Sequence, residues 1–137
     1  MMKPINPSGL STFDISGRAM AAQLVRMNAI ASNLANAGTI AGSEQGAYRA
    51  LKPVFSASFD GPAATVDVAR MARTGTPEKK LDPNHPLADA TGHVWAAAVD
   101  PNQEMVEMVE TARAYANNVE VMSTARGLML ETLRIGK

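Results

Sequence analysis

Apolar side chains return at alternating steps of four and three along two separate stretches of this chain. In the first, Phe13, Gly17, Met20, Leu24, Met27, Ala31 and Leu34 share this spacing. Such a stripe predicts an amphipathic helix with one narrow seam turned toward a partner helix. Ser11 stands in capping-box spacing with Asp14, so the helix begins after Ser11 and runs to about Ala37, ahead of Gly38. Gly17 within it lowers helix propensity slightly.

The second stretch is longer. Asp100, Pro101 and Gln103 combine a side-chain cap, a first-turn proline and a return partner, so a helix starts here and continues to about Ile135, with Gly136 as its stop. Met105, Met108, Ala112, Tyr115, Val119, Met122, Met129 and Leu133 carry the same spacing, interrupted at Arg126. The region between holds most of the Pro and Gly, with period-two patches at Phe55, Ala57 and Phe59, at Val66 and Val68, and at Val94 to Ala96. These predict short strands in a small sheet or hairpin, with residues 75–91 as a loop. The expected fold is mainly α: long N- and C-terminal helices pairing as a coiled coil, with a small β-rich or irregular middle. The divisions are 1–39 as an export and assembly segment with its helix, 40–99 as the middle segment, and 100–137 as the long C-terminal helix.

The two helices are unequal. At about 1.5 Å per residue the first spans roughly 36 Å and the second roughly 52 Å, so an antiparallel pair leaves roughly 16 Å of the longer one uncovered. Leu128, Met129, Leu130, Leu133 and Ile135 fall in that section. Either residues 1–12 or the middle segment folds over it, or another copy of the chain covers it.

Composition narrows the choice of function. Among 137 residues there are 13 basic and 13 acidic side chains, for a net charge of zero, so the chain has no electrostatic footprint for nucleic acid or an anionic membrane. No cysteine is present, which excludes disulfides and thiol chemistry. Nothing resembles a signal-peptide h-region or a membrane span, so neither cleaved-signal export nor membrane insertion is expected. Nine Met and abundant Ala against three Phe, two Tyr and one Trp point to close helix packing rather than a bulky aromatic core.

Candidate chemistry is sparse. Asp82, His85, Asp89 and His93 have a spacing that invites a metal reading, but Pro83, Pro86 and Gly92 set them in a turn-rich loop, where Asp bonds its own backbone. Glu104, Glu107 and Glu110 cluster in the first turns of the last helix, where they complement its dipole; a solvated face is expected, not paired catalytic acids. Neither a nucleophile elbow nor a phosphate-binding loop occurs. No catalytic residue, metal site or cofactor is therefore expected.

The stretch from Ser16-Gly17-Arg18-Ala19-Met20 through Gln23 and Arg26-Met27-Asn28 to Ser32-Asn33-Leu34-Ala35-Asn36-Ala37-Gly38-Thr39 resembles the N-terminal signature of flagellar rod and hook proteins. Glu104 to Val109 with Ala112-Arg113-Ala114-Tyr115-Ala116-Asn117-Asn118-Val119 resembles the matching C-terminal signature, and Leu81 to Val94 is similar to a segment of the short proximal-rod members. The resemblance marks Gly17, Gln23, Asn28, Asn33, Asn36, Arg113 and Asn118 as motif residues. It implies a structural, non-enzymatic subunit of the rod that crosses the periplasm. Such a subunit is exported through the flagellar type III apparatus and assembles with other copies, with other proximal and distal rod proteins and with a rod-base adaptor. Its packing contacts would be Met20, Leu24, Met27, Leu34, Met105, Met108, Tyr115, Val119, Met122, Met129 and Leu133. The alternative is a soluble helical adaptor or chaperone-like module that grips a client with the same stripes.

Overall fold

The computed structural model describes residues 11–60 and 63–136. Helix α1 spans Thr12–Asn36. Its start is set by the reciprocal capping box: the Ser11 hydroxyl accepts from the Asp14 amide at 3.1 Å, and Asp14 accepts from the Ser11 amide at 3.0 Å. The bonds from Ser11 hold the Asp14 carboxyl below its usual range. Helix α2 spans Pro101–Ile135, capped by Asp100 with proline in its first turn. Gln103, expected to close the cap, instead donates to Glu107.

Five strands lie between the helices: β1 Ile40–Ala41, β2 Ala50–Asp60, β3 Ala63–Thr74, β4 Glu78–Leu81 and β5 His93–Ala96. β2 and β3 form a long antiparallel hairpin, and β1, β5 and β4 form an antiparallel sheet in that order. The fold is therefore mixed α+β, which corrects the mainly α expectation. The patches at Phe55–Phe59 and Val66–Val68 are the ends of strands of 11 and 12 residues. Pairing sustains them where apolar alternation does not: Arg70 and Arg73 continue β3 opposite Val54 and Leu51. Pro53 is accommodated because β2 has a partner on one side only. A register shift between Val54 and Phe55 marks the point beyond which the described side chains of β2 are exposed.

The expected loop at 75–91 contains β4, whose sequence Glu-Lys-Lys-Leu lacks an apolar face. It is an exposed edge strand, held by its pairing with β5. The Asp82 to His93 stretch is a set of turns. Asp89 accepts from the backbone of His93 and Thr91 and from the Thr91 hydroxyl, and those bonds pull its carboxyl down to about 2. His85 accepts from the Leu87 amide.

α1 packs along α2 on one side and across β2 and β3 on the other. Asn33 meets Glu104 and Arg26 approaches Glu107, so the two helices run antiparallel. The fully buried apolar side chains are mostly small: Ala22, Ala29 and Ile30 of α1, with Ala47, Ala50 and Val94 from the middle segment. Small residues let backbones approach closely, as the Ala-rich composition suggested. From Arg126 onward every described residue of α2 is exposed, so roughly 15 Å of helix projects past the pairing with α1. Among the described residues nothing folds over it; residues 1–10 of the segment expected to do so lie outside them.

Candidate assembly surface

Burial along α2 has a heptad period, but only three of its seven positions coincide with the apolar stripe. Glu104, Met108, Thr111, Tyr115, Asn118, Met122 and Ala125 are the buried and half-buried positions at steps of four and three. Met108, Tyr115 and Met122 are common to both stripes. Met105 and Val119 of the apolar stripe stand 59% and 44% exposed, and Ala112 is exposed with them. Beyond the helix pair, Met129 and Leu133 continue that exposed line, with Leu128, Leu130 and Ile135 beside them.

On α1, Met20, Met27 and Leu34 are half-buried, whereas Leu24 and Ala31 fall on an exposed line with Asp14, Arg18, Ala21, Asn28 and Ala35. Ile30, only 1% exposed, lies off the expected seam and is the most buried apolar side chain of the helix. Because α1 is covered by α2 and by the hairpin, its buried arc is wider than a single seam.

The motif residues divide. Gly17 and Asn36 are half-buried in α1; Asn28 and Arg113 are exposed; Asn118 is half-buried on the inner line of α2. Gln23 lines a cleft of about 190 Å³ with Ala19, Ala22, Arg26, Phe55 and Val66, and its buried Oε1 has no hydrogen-bond partner among the described residues. Asn33 is fully buried and uses both ends of its amide. Its Nδ2 donates to the Leu51 carbonyl at 3.0 Å and to Glu104 Oε2 at 2.9 Å, while its Oδ1 accepts from the Leu51 amide at 2.8 Å and the Tyr48 hydroxyl at 2.9 Å. One side chain of α1 thereby satisfies the backbone of a strand as a neighbouring strand would.

The expectation of a solvated acidic face fails at Glu104, which is 3% exposed. Lys52 of β2 donates to Glu104 Oε1 at 2.7 Å and to Glu107 Oε2 at 2.8 Å, which makes burial of the carboxylate tolerable. Burial alone would draw the Lys52 ammonium down, but the bonds and charges of Glu104 and Glu107 outweigh it and leave it raised. Burial likewise opposes ionisation of Glu107, yet Lys52, Gln103 and Arg26 hold its carboxyl below the ordinary range. Local pattern does not reveal this node, because Lys52 and Glu104 are 52 positions apart.

Among the described residues no group of three or more acidic or imidazole side chains is arranged to hold a metal ion, and no helix is long and apolar enough to cross a membrane. The prominent surface is apolar and helical: the outer line of α2 with its projecting end.

Comparison with known proteins identifies the family. The family described as Flagella basal body rod protein matches residues 13–39, and that described as Flagellar basal body rod FlgEFG protein C-terminal matches residues 90–135. The flagellar basal-body rod protein FlgC of Salmonella typhimurium is 43% identical over 131 residues, covering 93% of this chain and 98% of that relative. FlgC of Yersinia enterocolitica is 40% identical over the same coverage, and that of Bacillus subtilis 27% identical over 145 residues, covering 92% and 97% of the two chains. Identity of this degree along nearly the whole of both sequences, together with the matched terminal helices, means that the chain belongs to the FlgC family of flagellar basal-body rod proteins.

Proposed function

We propose that this chain, a structural subunit of the flagellar basal-body rod, joins its neighbours through the outer line of α2 and its projecting end. The observation that carries the reading is the apolar heptad line Met105, Ala112, Val119, Met129 and Leu133, left exposed beside a helix pair that is already formed. Exposed apolar surface of this extent on one helix fits a second helix packed in coiled-coil fashion. Each Leu, Met or Val side chain fully buried there contributes roughly 1.5–3 kcal/mol, against the ordering cost of association.

In this reading residues 1–39 and 100–137 are the assembly segments and residues 40–99 face outward. The half-buried residues Met20, Met27, Leu34, Met108, Tyr115 and Met122 hold α1 and α2 together, and the exposed ones, with Leu24, meet other subunits. The partners are further copies of this chain, the other proximal and distal rod proteins and the rod-base adaptor, after export through the flagellar type III apparatus. Family membership supports assembly with other rod components.

Val119→Asp and Leu133→Asp test the reading. Both positions are exposed, so the purified subunits should unfold at the parent's urea midpoint, while basal bodies from cells expressing them should lack a completed rod and the cells should not swim. Normal swimming with both variants present in the particle would remove the outer line from the interface. Mass spectrometry of hook-basal bodies, beside a deletion strain, separates the adaptor alternative, which requires intact rods without this chain.

A further inference from the structure

α2 carries two overlapping heptad lines that share Met108, Tyr115 and Met122. One is completed by Met105, Ala112 and Val119, the other by Glu104, Thr111, Asn118 and Ala125. Burial of apolar area alone favours the first, yet the second faces α1: Glu104 and Thr111 are 3% and 1% exposed, and Met105 and Val119 are not buried. The two arrangements differ by a turn of the helix about its own axis of roughly 50°, half the angle between successive residues.

We infer that the Asn33–Glu104–Lys52 node is a register lock, selecting which line of α2 faces α1 and so keeping the more apolar line outward. Its three members come from α1, α2 and β2, so the bonds close together at one rotation and one axial position of α2. Asn33 cannot follow Glu104 if the helix turns, because its Oδ1 is held by Leu51 and Tyr48 and its Nδ2 by the Leu51 carbonyl. Turning α2 toward its apolar line would carry Glu104 outward and strip Asn33 and Lys52 of a partner. Lys52 reaches one turn further to Glu107, which fixes the axial position as well. A buried ionic group that contributes little net stability but enforces one register is a known use of such groups. The competing explanation is steric, with small residues such as Ala22 and Ala29 of α1 admitting only the Thr111 and Asn118 side of α2.

The inference concerns the single chain, so its failure would leave the rod role standing. The absence of native cysteine allows single reporters at Thr111→Cys on the inner line and Ala112→Cys on the outer line. In the full-length parent, a thiol reagent should modify Cys at 112 on the order of 100-fold faster than Cys at 111. In a lock-free chain bearing Lys52→Met and Glu104→Leu, which keeps the Asn33 bonds to Leu51, helical circular dichroism and cooperative unfolding should persist while that ratio collapses toward one or inverts. A ratio that survives in the lock-free chain would overturn the inference in favour of steric selection. A lock-free chain that no longer folds would overturn it too, since the node would then serve stability, and so would a ratio near one in the parent.

Discussion

The amide nitrogen of Asn33 lies 2.9 Å from a carboxylate oxygen of Glu104, joining the two helices across 71 positions of sequence. Asn33→Ala removes four hydrogen bonds at once and takes from the Leu51 amide and carbonyl the side chain that satisfies them. The expected loss is about 2–4 kcal/mol, read as a lowered urea midpoint with an unchanged slope. A midpoint at the parent's value would mean that the amide contributes nothing to holding β2 against α1.

Ile30 and Leu24 lie on the same helix, and chemistry alone would rank them equally. Ile30 is 1% exposed and Leu24 is 44% exposed. Ile30→Ala should cost about 2–5 kcal/mol through lost contacts and a residual cavity, whereas Leu24→Ala should stay within about 0.5 kcal/mol of the parent. Thermal melts of the two variants side by side check the ordering.

Two glycines should respond to alanine in opposite directions. Gly75 ends β3 at φ +85°, and a Cβ there would stand 3.0 Å from the Ala98 Cβ, so Gly75→Ala should destabilise by about 1–3 kcal/mol. Gly17 sits within α1, and a Cβ added to it would meet nothing within 4 Å among the described residues, so Gly17→Ala should stabilise by about 0.5–1 kcal/mol. Urea midpoints moving in the same direction would contradict this contrast.

The charged groups around Lys52 define a pH range of stability. Glu107 has a folded-state value below its ordinary 4.5, so its stabilisation is present above that value and is lost as pH falls through the depressed one. Asp89 behaves alike, from an ordinary 3.8 down to about 2. Lys52 is raised above 10.5, so its contribution is complete below that value and disappears as pH rises through the folded one. The unfolding midpoint should therefore decline on the acid side of about 4.5, and Glu107→Gln should make that decline shallower. An identical acid limb in Glu107→Gln would show that Lys52 does not favour the ionised carboxylate.

Some of the fold was legible because its causes are local. Ser11 with Asp14, and Asp100 with Pro101, mark the helix starts within a few residues, and the length difference between α1 and α2 follows from those ends. Strand patches were visible at Phe55 and Val66, but the hairpin's full length was not, since Arg70 and Arg73 are held in β3 by cross-strand pairing rather than by an apolar alternation of their own. The family motif singled out Asn33 without indicating what it bonds. Glu104 read as a solvated acid because its neighbours in sequence are also acidic, while its partner Lys52 lies in a different element.

By itself the sequence determined that two capped helices of unequal length flank a strand-forming middle, and that the longer helix carries an apolar heptad line. Those features depend on hydrogen bonds and spacings within a few residues. Only the tertiary structure decided which side of that helix faces inward. The choice sets apolar burial on one side against polar partners on the other, and Asn33, Lys52 and Glu104 become partners only when α1, β2 and α2 have come together.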